Sequence, residues 1–194
     1  MHPLKHSVSI SLESSVIPPI HFIGGIHGVG KTTFAAAMSV ATGLICQSAG
    51  ALIKSHRNST QGVTKQVKNV QQNQNLLLDA IKALHLTAPV LLDGHFCLLT
   101  KDGSITAIPF ETFADLNLKS IVVVTDSPAK IKQRLAERDG THYDADLLAR
   151  FQSREIAWAE EIGARLHIPF ATFSSNQVQQ ASEHLHQAGH HPNP

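Results

Sequence analysis

The chain has 194 residues, which is enough for one domain with a sizeable buried core. Its 16 lysines and arginines nearly balance its 15 acidic residues, and the net charge of +1 excludes a broad basic surface for nucleic acid or an anionic membrane. Two distant cysteines, the lack of a secretory signal and the lack of a long apolar run argue against a disulfide framework and a membrane span, and favour a cytoplasmic protein.

The predicted elements alternate between strands and helices over most of the chain. Residues 1–18 alternate apolar and polar side chains before two prolines, which predicts an N-terminal arm or an added edge strand. Within residues 19–180, short apolar runs predict buried strands, and helical spacing between them predicts helices. The apolar runs are 20–23, 44–46, 90–92, 121–124 and 169–173. This alternation predicts an α/β fold in which a mainly parallel sheet is covered on both faces.

Four segments depart from this alternation. The polar stretch 55–75 is either a mobile helical subdomain or an exposed connection. Residues 97–108 predict a hairpin that projects from the sheet, because Lys101-Asp102-Gly103 separates two alternating runs. The polar residues at 139–146 predict a short lid. Residues 181–194 include His184, His186, His190 and His191, and we expect a solvated tail there instead of a metal site.

The segment Gly25-Ile26-His27-Gly28-Val29-Gly30-Lys31-Thr32, followed by Thr33, matches the phosphate-binding pattern GxxxxGK(S/T) in full. Its glycines let successive backbone N–H groups point at phosphate oxygens, and the helix that begins near Lys31 adds the positive end of its dipole. Lys31 can reach the β and γ phosphates, and the Thr32 hydroxyl can complete the coordination of a magnesium ion. We therefore expect residues 25–33 to bind ATP with Mg²⁺, and His27, at a variable position, to face solvent or pack locally.

Two further segments place charged side chains where they can serve this site. Asp93 ends the run 90–92, at the strand edge where open sheets bind ligands, and can hold magnesium through its waters. The alternative for Asp93 is a turn formed with the glycine that follows it. Arg134 and Arg138 lie four residues apart, so both guanidinium groups can stabilise a transferring phosphoryl group. The alternative for the two arginines is a solvated helix face with acidic neighbours.

In these motifs the chain resembles the adenylate kinase family of nucleoside monophosphate kinases, especially the compact archaeal-type members with short lids. The likeness covers most of residues 20–176. The segment Ser48-Ala49-Gly50-Ala51-Leu52-Ile53-Lys54 looks like the family's acceptor-site segment, with Lys54 where an arginine usually stands. Residues 91–94 are similar to the end of the family's third strand, and Arg134 and Arg138 fall where the family places two phosphate-contacting arginines.

The resemblance implies a three-layer P-loop NTPase fold with a five-stranded, mainly parallel sheet, a short lid and a small acceptor-side insertion at about 48–75. It implies direct phosphoryl transfer, without a covalent enzyme intermediate, in which Lys31, Arg134 and Arg138 stabilise the phosphoryl group. The acceptor would be bordered by Gly50, Lys54, Gly94 and His95. The family's acceptor-gripping arginine after the third strand is absent, and His95-Phe96-Cys97 stands there instead.

The leading interpretation is a kinase that transfers the γ phosphate of ATP to a nucleoside monophosphate or a similar small acceptor. The alternative is a P-loop ATPase or a nucleotide-binding regulatory module that acts with a protein partner. A third interpretation, a kinase for a small metabolite or a tRNA-linked substrate, is less favoured, because the near-neutral composition provides no basic surface for nucleic acid.

Overall fold

The structure, a computed structural model, describes residues 16–60, 70–100, 102–140 and 142–188. The expected strand within residues 1–18 and the last two histidines of the expected tail lie outside these residues. The strands are β1 (Ile20–Gly24), β2 (Ile45–Ser48), β3 (Val90–Asp93), β4 (Cys97–Leu99), β5 (Ile105–Ala107), β6 (Leu118–Thr125) and β7 (Phe170–Ser174). The helices are α1 (Lys31–Thr42), α2 (Ala49–Thr60), α3 (Val70–Ala83), α4 (Phe110–Ala114), α5 (Pro128–Asp139), α6 (Ala145–Leu166) and α7 (Val178–Ala188).

A five-stranded sheet in the order β2-β3-β1-β6-β7 forms the centre of the described part of the chain. Every neighbouring pair is parallel, as expected for strands that are joined through helices. Successive residues of each strand face opposite sides of the sheet, so the apolar runs supply two separate cores. Ile23 and Val122 belong to one core, while Phe22 and Ile121 belong to the other. The predicted α/β fold with a five-stranded parallel sheet is therefore confirmed.

The hairpin of β4 and β5 pairs Cys97 with Ala107 in antiparallel register. It is separate from the five-stranded sheet and packs against α6, where Cys97 is fully buried and the indole Nε1 of Trp158 donates a 2.8 Å hydrogen bond to the Ile108 carbonyl. In the polar stretch 55–75, the described residues are helical at both ends. The short helix α4 had no clear signal in the sequence.

The predicted boundary between the domain and its C-terminal tail, at residue 180, falls inside a helix. Helix α7 continues to Ala188, and Ala181, Leu185 and Ala188 are buried at helical spacing in the described part of the chain. His184 is half-buried and its ring lies 5.9 Å from that of Phe173, measured between centroids. The expectation of a solvated tail from residue 181 was therefore wrong for residues 181–188, because their apolar residues form a face that packs on the sheet and α1. None of the described helices combines the length and apolar character needed to cross a bilayer.

His21 is a buried histidine at the centre of the sheet. Its Nδ1 lies 2.8 Å from the Ser120 hydroxyl on the neighbouring strand, and only 7% of the residue is exposed. Burial, followed by the charges of His184 and His186, lowers the pKa of His21 to about 4. The folded protein therefore keeps this imidazole neutral in mildly acidic solution, whereas the unfolded chain protonates it near its ordinary pKa of 6.5.

We expect the folded state to lose stability as the pH falls from about 6.5 towards about 4, because only the unfolded chain takes up a proton at His21 in that window. Between about pH 7.5 and about pH 5 this one group should account for roughly 2 kcal/mol. Urea unfolding at both pH values should show the loss, and His21→Asn, which keeps a partner for Ser120, should reduce it by most of that amount. An unchanged pH dependence in His21→Asn would contradict the assignment.

Candidate active site

A cleft of about 600 Å³ lies at the carboxyl ends of the parallel strands. This is the edge at which open α/β sheets bind ligands. Its wall is formed by Ile26, His27, Gly28, Gly30, Lys31, Thr32, Thr33, Ser48, Gly50, Asp93, Gly94, His95, Arg134, Glu137 and Arg138. The structure thus brings most of the sequence-predicted site residues to one place. Of the phosphate-binding segment, Gly25 and the fully buried Val29 are not part of this wall.

The phosphate-binding loop joins β1 to α1 in a conformation that leaves the helix end open. Gly30 stands at the N-cap with φ 95°, a left-handed conformation that residues with a Cβ adopt at a cost. Among the described residues, no side chain caps the N-terminus of α1, whereas Ser127 and Asp144 cap the N-termini of α5 and α6. The first amides of α1 and the positive end of its dipole are therefore directed at the cleft, where an anion is favoured.

Lys31 and Asp93 form a buried ion pair in the floor of the cleft. Lys31 Nζ lies 2.5 Å from Asp93 Oδ1, and each residue is only 9% exposed. The pair joins the first residue of α1 to the last residue of β3. It keeps each buried charge next to an opposite charge, which is the condition under which buried charges are tolerated.

The two arginines of α5 occupy different environments although both reach the cleft. Arg134 is half-buried, and its Nη1 donates hydrogen bonds to the carbonyl oxygens of Gly28 and Val29 at 3.1 and 3.2 Å. Its Nη2 donates to Asp126, which fixes the guanidinium against the loop. Arg138, one turn later, is exposed and lines the cleft. Arg134 therefore braces the phosphate-binding loop, while Arg138 forms part of the cleft wall one turn further along α5.

His95 and His27 stack across the floor of the cleft, with ring centroids 4.4 Å apart. Burial, then the charge of Lys31 and then that of His27, lowers the pKa of His95 to about 3, although a hydrogen bond with the Gly25 backbone acts in the opposite direction. His95 is therefore neutral near pH 7. Its Nδ1 is buried and has no hydrogen-bond partner among the described residues.

Glu155 is a structural residue of this site that the sequence interpretation missed. It lies on α6, is completely buried, and accepts hydrogen bonds from three backbone N–H groups. Gly25 and Phe96 donate to Oε1, both at 3.0 Å, and Cys97 donates to Oε2 at 2.6 Å. Burial raises the pKa of Glu155, while the three amides and Lys31 act to lower it. One carboxyl group thus fixes the start of the phosphate-binding loop to the segment that follows β3.

Three of the four predicted acceptor-side residues lie together, and one does not. Gly50, Gly94 and His95 line the cleft. Gly94 serves close packing as well, because a Cβ at this position would approach the Phe22 ring to 2.5 Å. Lys54 lies on the exposed face of α2 and is not part of the cleft wall.

The same three residues also border a second cavity of about 180 Å³, which we call the apolar chamber. It lies beside the cleft, between α2, α3, α4 and the hairpin. The chamber wall is formed by Phe22, Ala49, Gly50, Ile53, Asn73, Gln74, Leu77, Gly94, His95, Leu98, Ile108, Thr112, Phe113 and Leu116. Because its wall shares Gly50, Gly94 and His95 with the cleft, a ligand in the chamber would lie next to a phosphate on the loop.

Residues 24–152 match a protein-family model described as an AAA domain. A gluconokinase from Sinorhizobium meliloti 1021 is similar over 90% of this chain and 99% of its own, with 16% identity and a TM-score of 0.49. An uncharacterized protein from Eubacterium ventriosum ATCC 27560 is similar over 87% of this chain and 96% of its own, with 12% identity and a TM-score of 0.47. No curated protein matches the sequence significantly.

Proposed function

Since the chain belongs to the AAA domain family, we propose that it is a kinase that transfers the γ phosphate of ATP to a nucleoside monophosphate or a similar small acceptor. The observation that carries the proposal is the cleft itself. It combines an uncapped phosphate-binding helix, Lys31, and the two arginines of α5 with an adjacent chamber for a second molecule. A protein that only hydrolyses ATP needs no such chamber.

In this proposal the loop amides and Lys31 hold the β and γ phosphates. The oxygen atoms of Thr32 and Asp93 suit magnesium, which prefers oxygen ligands and keeps several of its own waters, so that one or two protein oxygens suffice. When bound, the ion would neutralise charge on the phosphates. Lys31 would exchange its contact with Asp93 for the phosphates, and Asp93 would then be available to the ion.

The reaction proposed is a direct displacement. An acceptor oxygen forms a bond to the γ phosphorus, the bond from that phosphorus to the β–γ bridging oxygen breaks, and its electron pair leaves with ADP. The protein then contributes position and charge stabilisation, since phosphoryl transfer needs little else. Arg138 lines the cleft on an exposed turn of α5. In this proposal its guanidinium contacts the transferring group.

The two arginines should respond differently to substitution. Arg138→Ala should lower kcat about 100-fold, because it removes a charge from the transition state, and should change the free energy of unfolding by less than about 0.5 kcal/mol. Arg134→Ala should also raise the KM for ATP and lower the unfolding midpoint, since Arg134 braces the loop. Steady-state kinetics and thermal unfolding distinguish the two variants.

Lys132→Ala is the matched control, because Lys132 is an exposed cation of the same helix that does not line the cleft. It should leave kcat unchanged. Equal reductions of kcat in Lys132→Ala and Arg138→Ala would show that the positive charges of α5 act only at long range. Arg138 would then not belong to the site.

The proposal is tested by coupled measurement of ATP consumption with the common nucleoside monophosphates, nucleosides and small hydroxy compounds in turn. At least one acceptor should raise turnover well above the rate of ATP hydrolysis without acceptor. If magnesium-ATP binds and no acceptor raises turnover, the kinase proposal fails, and an ATPase or a regulatory nucleotide-binding module explains the protein better.

A further inference from the structure

The apolar chamber has the size and lining of a site for one small ring system. Its volume of about 180 Å³ is close to that of roughly six water molecules and below that of a typical drug-sized pocket. Its wall is mostly apolar and includes the aromatic rings of Phe22 and Phe113 together with Ile53, Leu77, Leu98 and Leu116. Such a wall favours a flat, largely apolar group over a flexible polyhydroxy chain.

Two buried polar atoms of residues in the chamber wall have no hydrogen-bond partner in the described part of the chain. The hydroxyl of Thr112 is one of them, in a residue that is only 7% exposed and lines the chamber. Nδ1 of His95 is the other, at the junction between chamber and cleft. Buried polar atoms are ordinarily hydrogen-bonded, so each of them needs a partner from a ligand or from water. Together they can orient a ligand that carries its own donors and acceptors.

The charged residues near the chamber, like its shape, indicate which kind of ligand it can hold. No lysine, arginine, aspartate or glutamate lines it in the part of the chain that the structure describes. The cations of the cleft are Lys31 in the phosphate-binding loop and Arg134 and Arg138 on α5. A phosphate on the acceptor itself would need cations of its own, as doubly charged phosphates are bound by arginine and lysine.

We propose that the acceptor is an uncharged hydroxyl compound with one flat ring system, of the nucleoside type, whose ring occupies the apolar chamber and bonds to Thr112. This inference rests on the proposed kinase function. Among the acceptors that this function allows, it selects a neutral compound over a monophosphate. The acceptor hydroxyl oxygen bonds to the γ phosphorus, the bond to the bridging oxygen breaks, and the electron pair leaves with ADP. The hydroxyl proton passes to an oxygen of the transferred phosphoryl group, so the step balances without a protein base.

The first test compares adenosine, guanosine, cytidine and uridine with their 5′-monophosphates at equal concentration, by ATP consumption. At least one nucleoside should be turned over about tenfold faster than its monophosphate, because no cation lines the described wall of the chamber to pair with the added charge. Faster turnover of a monophosphate would overturn the inference and leave the kinase proposal standing. No turnover of any of the eight compounds would also overturn it, and the kinase proposal would then be judged separately with other acceptors.

The second test uses Thr112→Val, which keeps the shape of the side chain and removes the hydroxyl. The KM for the nucleoside should rise about fivefold or more with the KM for ATP unchanged, since a ligand loses a hydrogen bond. The unfolding midpoint should stay equal or rise, because the hydroxyl has no hydrogen-bond partner to lose among the described residues. A purely structural role for Thr112 predicts the reverse pattern, and that result would overturn the inference.

A third variant narrows the chamber. Ile53→Phe adds volume to a residue of the chamber wall, while Ala51→Phe adds a ring to the exposed face of the same helix. Ile53→Phe should raise the KM for the nucleoside about tenfold with little change in the KM for ATP, and Ala51→Phe should change neither. Equal nucleoside KM values in both variants would contradict binding in the chamber.

Discussion

Lys31→Met is expected to lower turnover about 1,000-fold, because the substituted side chain keeps its length but loses the charge that holds the β and γ phosphates. The same change should lower the free energy of unfolding by about 3 kcal/mol, since it leaves the carboxylate of Asp93 buried without its partner. Steady-state kinetics and urea unfolding measure the two effects independently.

The double variant Lys31→Met with Asp93→Asn separates the two effects. Removing both charges should restore most of the stability, because no uncompensated charge remains in the floor of the cleft, while turnover stays low. Turnover near the wild-type level in either variant would show that the phosphates are not held by Lys31.

Glu155→Ala is expected to destabilise the fold by about 3 to 5 kcal/mol, because it leaves three buried backbone N–H groups without acceptors. One of these groups belongs to Gly25, at the start of the phosphate-binding loop. Affinity for magnesium-ATP should therefore fall as well, even under conditions in which the variant remains folded. Chemical unfolding and calorimetric titration measure these two results.

Two further variants control for the loss of a charge and of volume. Glu155→Gln should be less damaging than Glu155→Ala, since an amide oxygen in place of Oε1 still accepts from Gly25 and Phe96. Glu160→Ala removes an exposed carboxylate from the same helix and should change stability by less than about 0.5 kcal/mol. If Glu155→Ala were as harmless as Glu160→Ala, the loop would not depend on this carboxyl group.

Local sequence patterns were sufficient to predict the sheet and the phosphate-binding loop. Alternate residues of the apolar runs face opposite cores, and the glycines of the loop mark a backbone shape that few other residues allow. The pairing of Lys31 with Asp93 was not predicted as such, although both residues were expected at the same strand edge. Lys31 therefore has a role in stability in addition to its proposed role on phosphates.

The features that were missed depend on contacts between distant parts of the chain. Glu155 is one of several acidic residues on α6, and only the fold shows that the amides of Gly25 and Phe96 converge on it. The apolar chamber is assembled from α2, α3, α4 and the hairpin, so no single segment carries its pattern. Helix α7 is hard to recognise in the sequence, because polar residues and histidines surround the helically spaced Ala181 and Leu185.

Titration of the purified protein with magnesium-ATP by calorimetry tests the central claim most directly, since everything proposed for the cleft depends on a bound triphosphate. We expect saturable binding with one site per chain and a dissociation constant of roughly 1 μM to 1 mM, the range usual for enzyme substrates. Lys31→Met should weaken this binding. Absence of saturable binding to the folded wild-type protein would contradict the account.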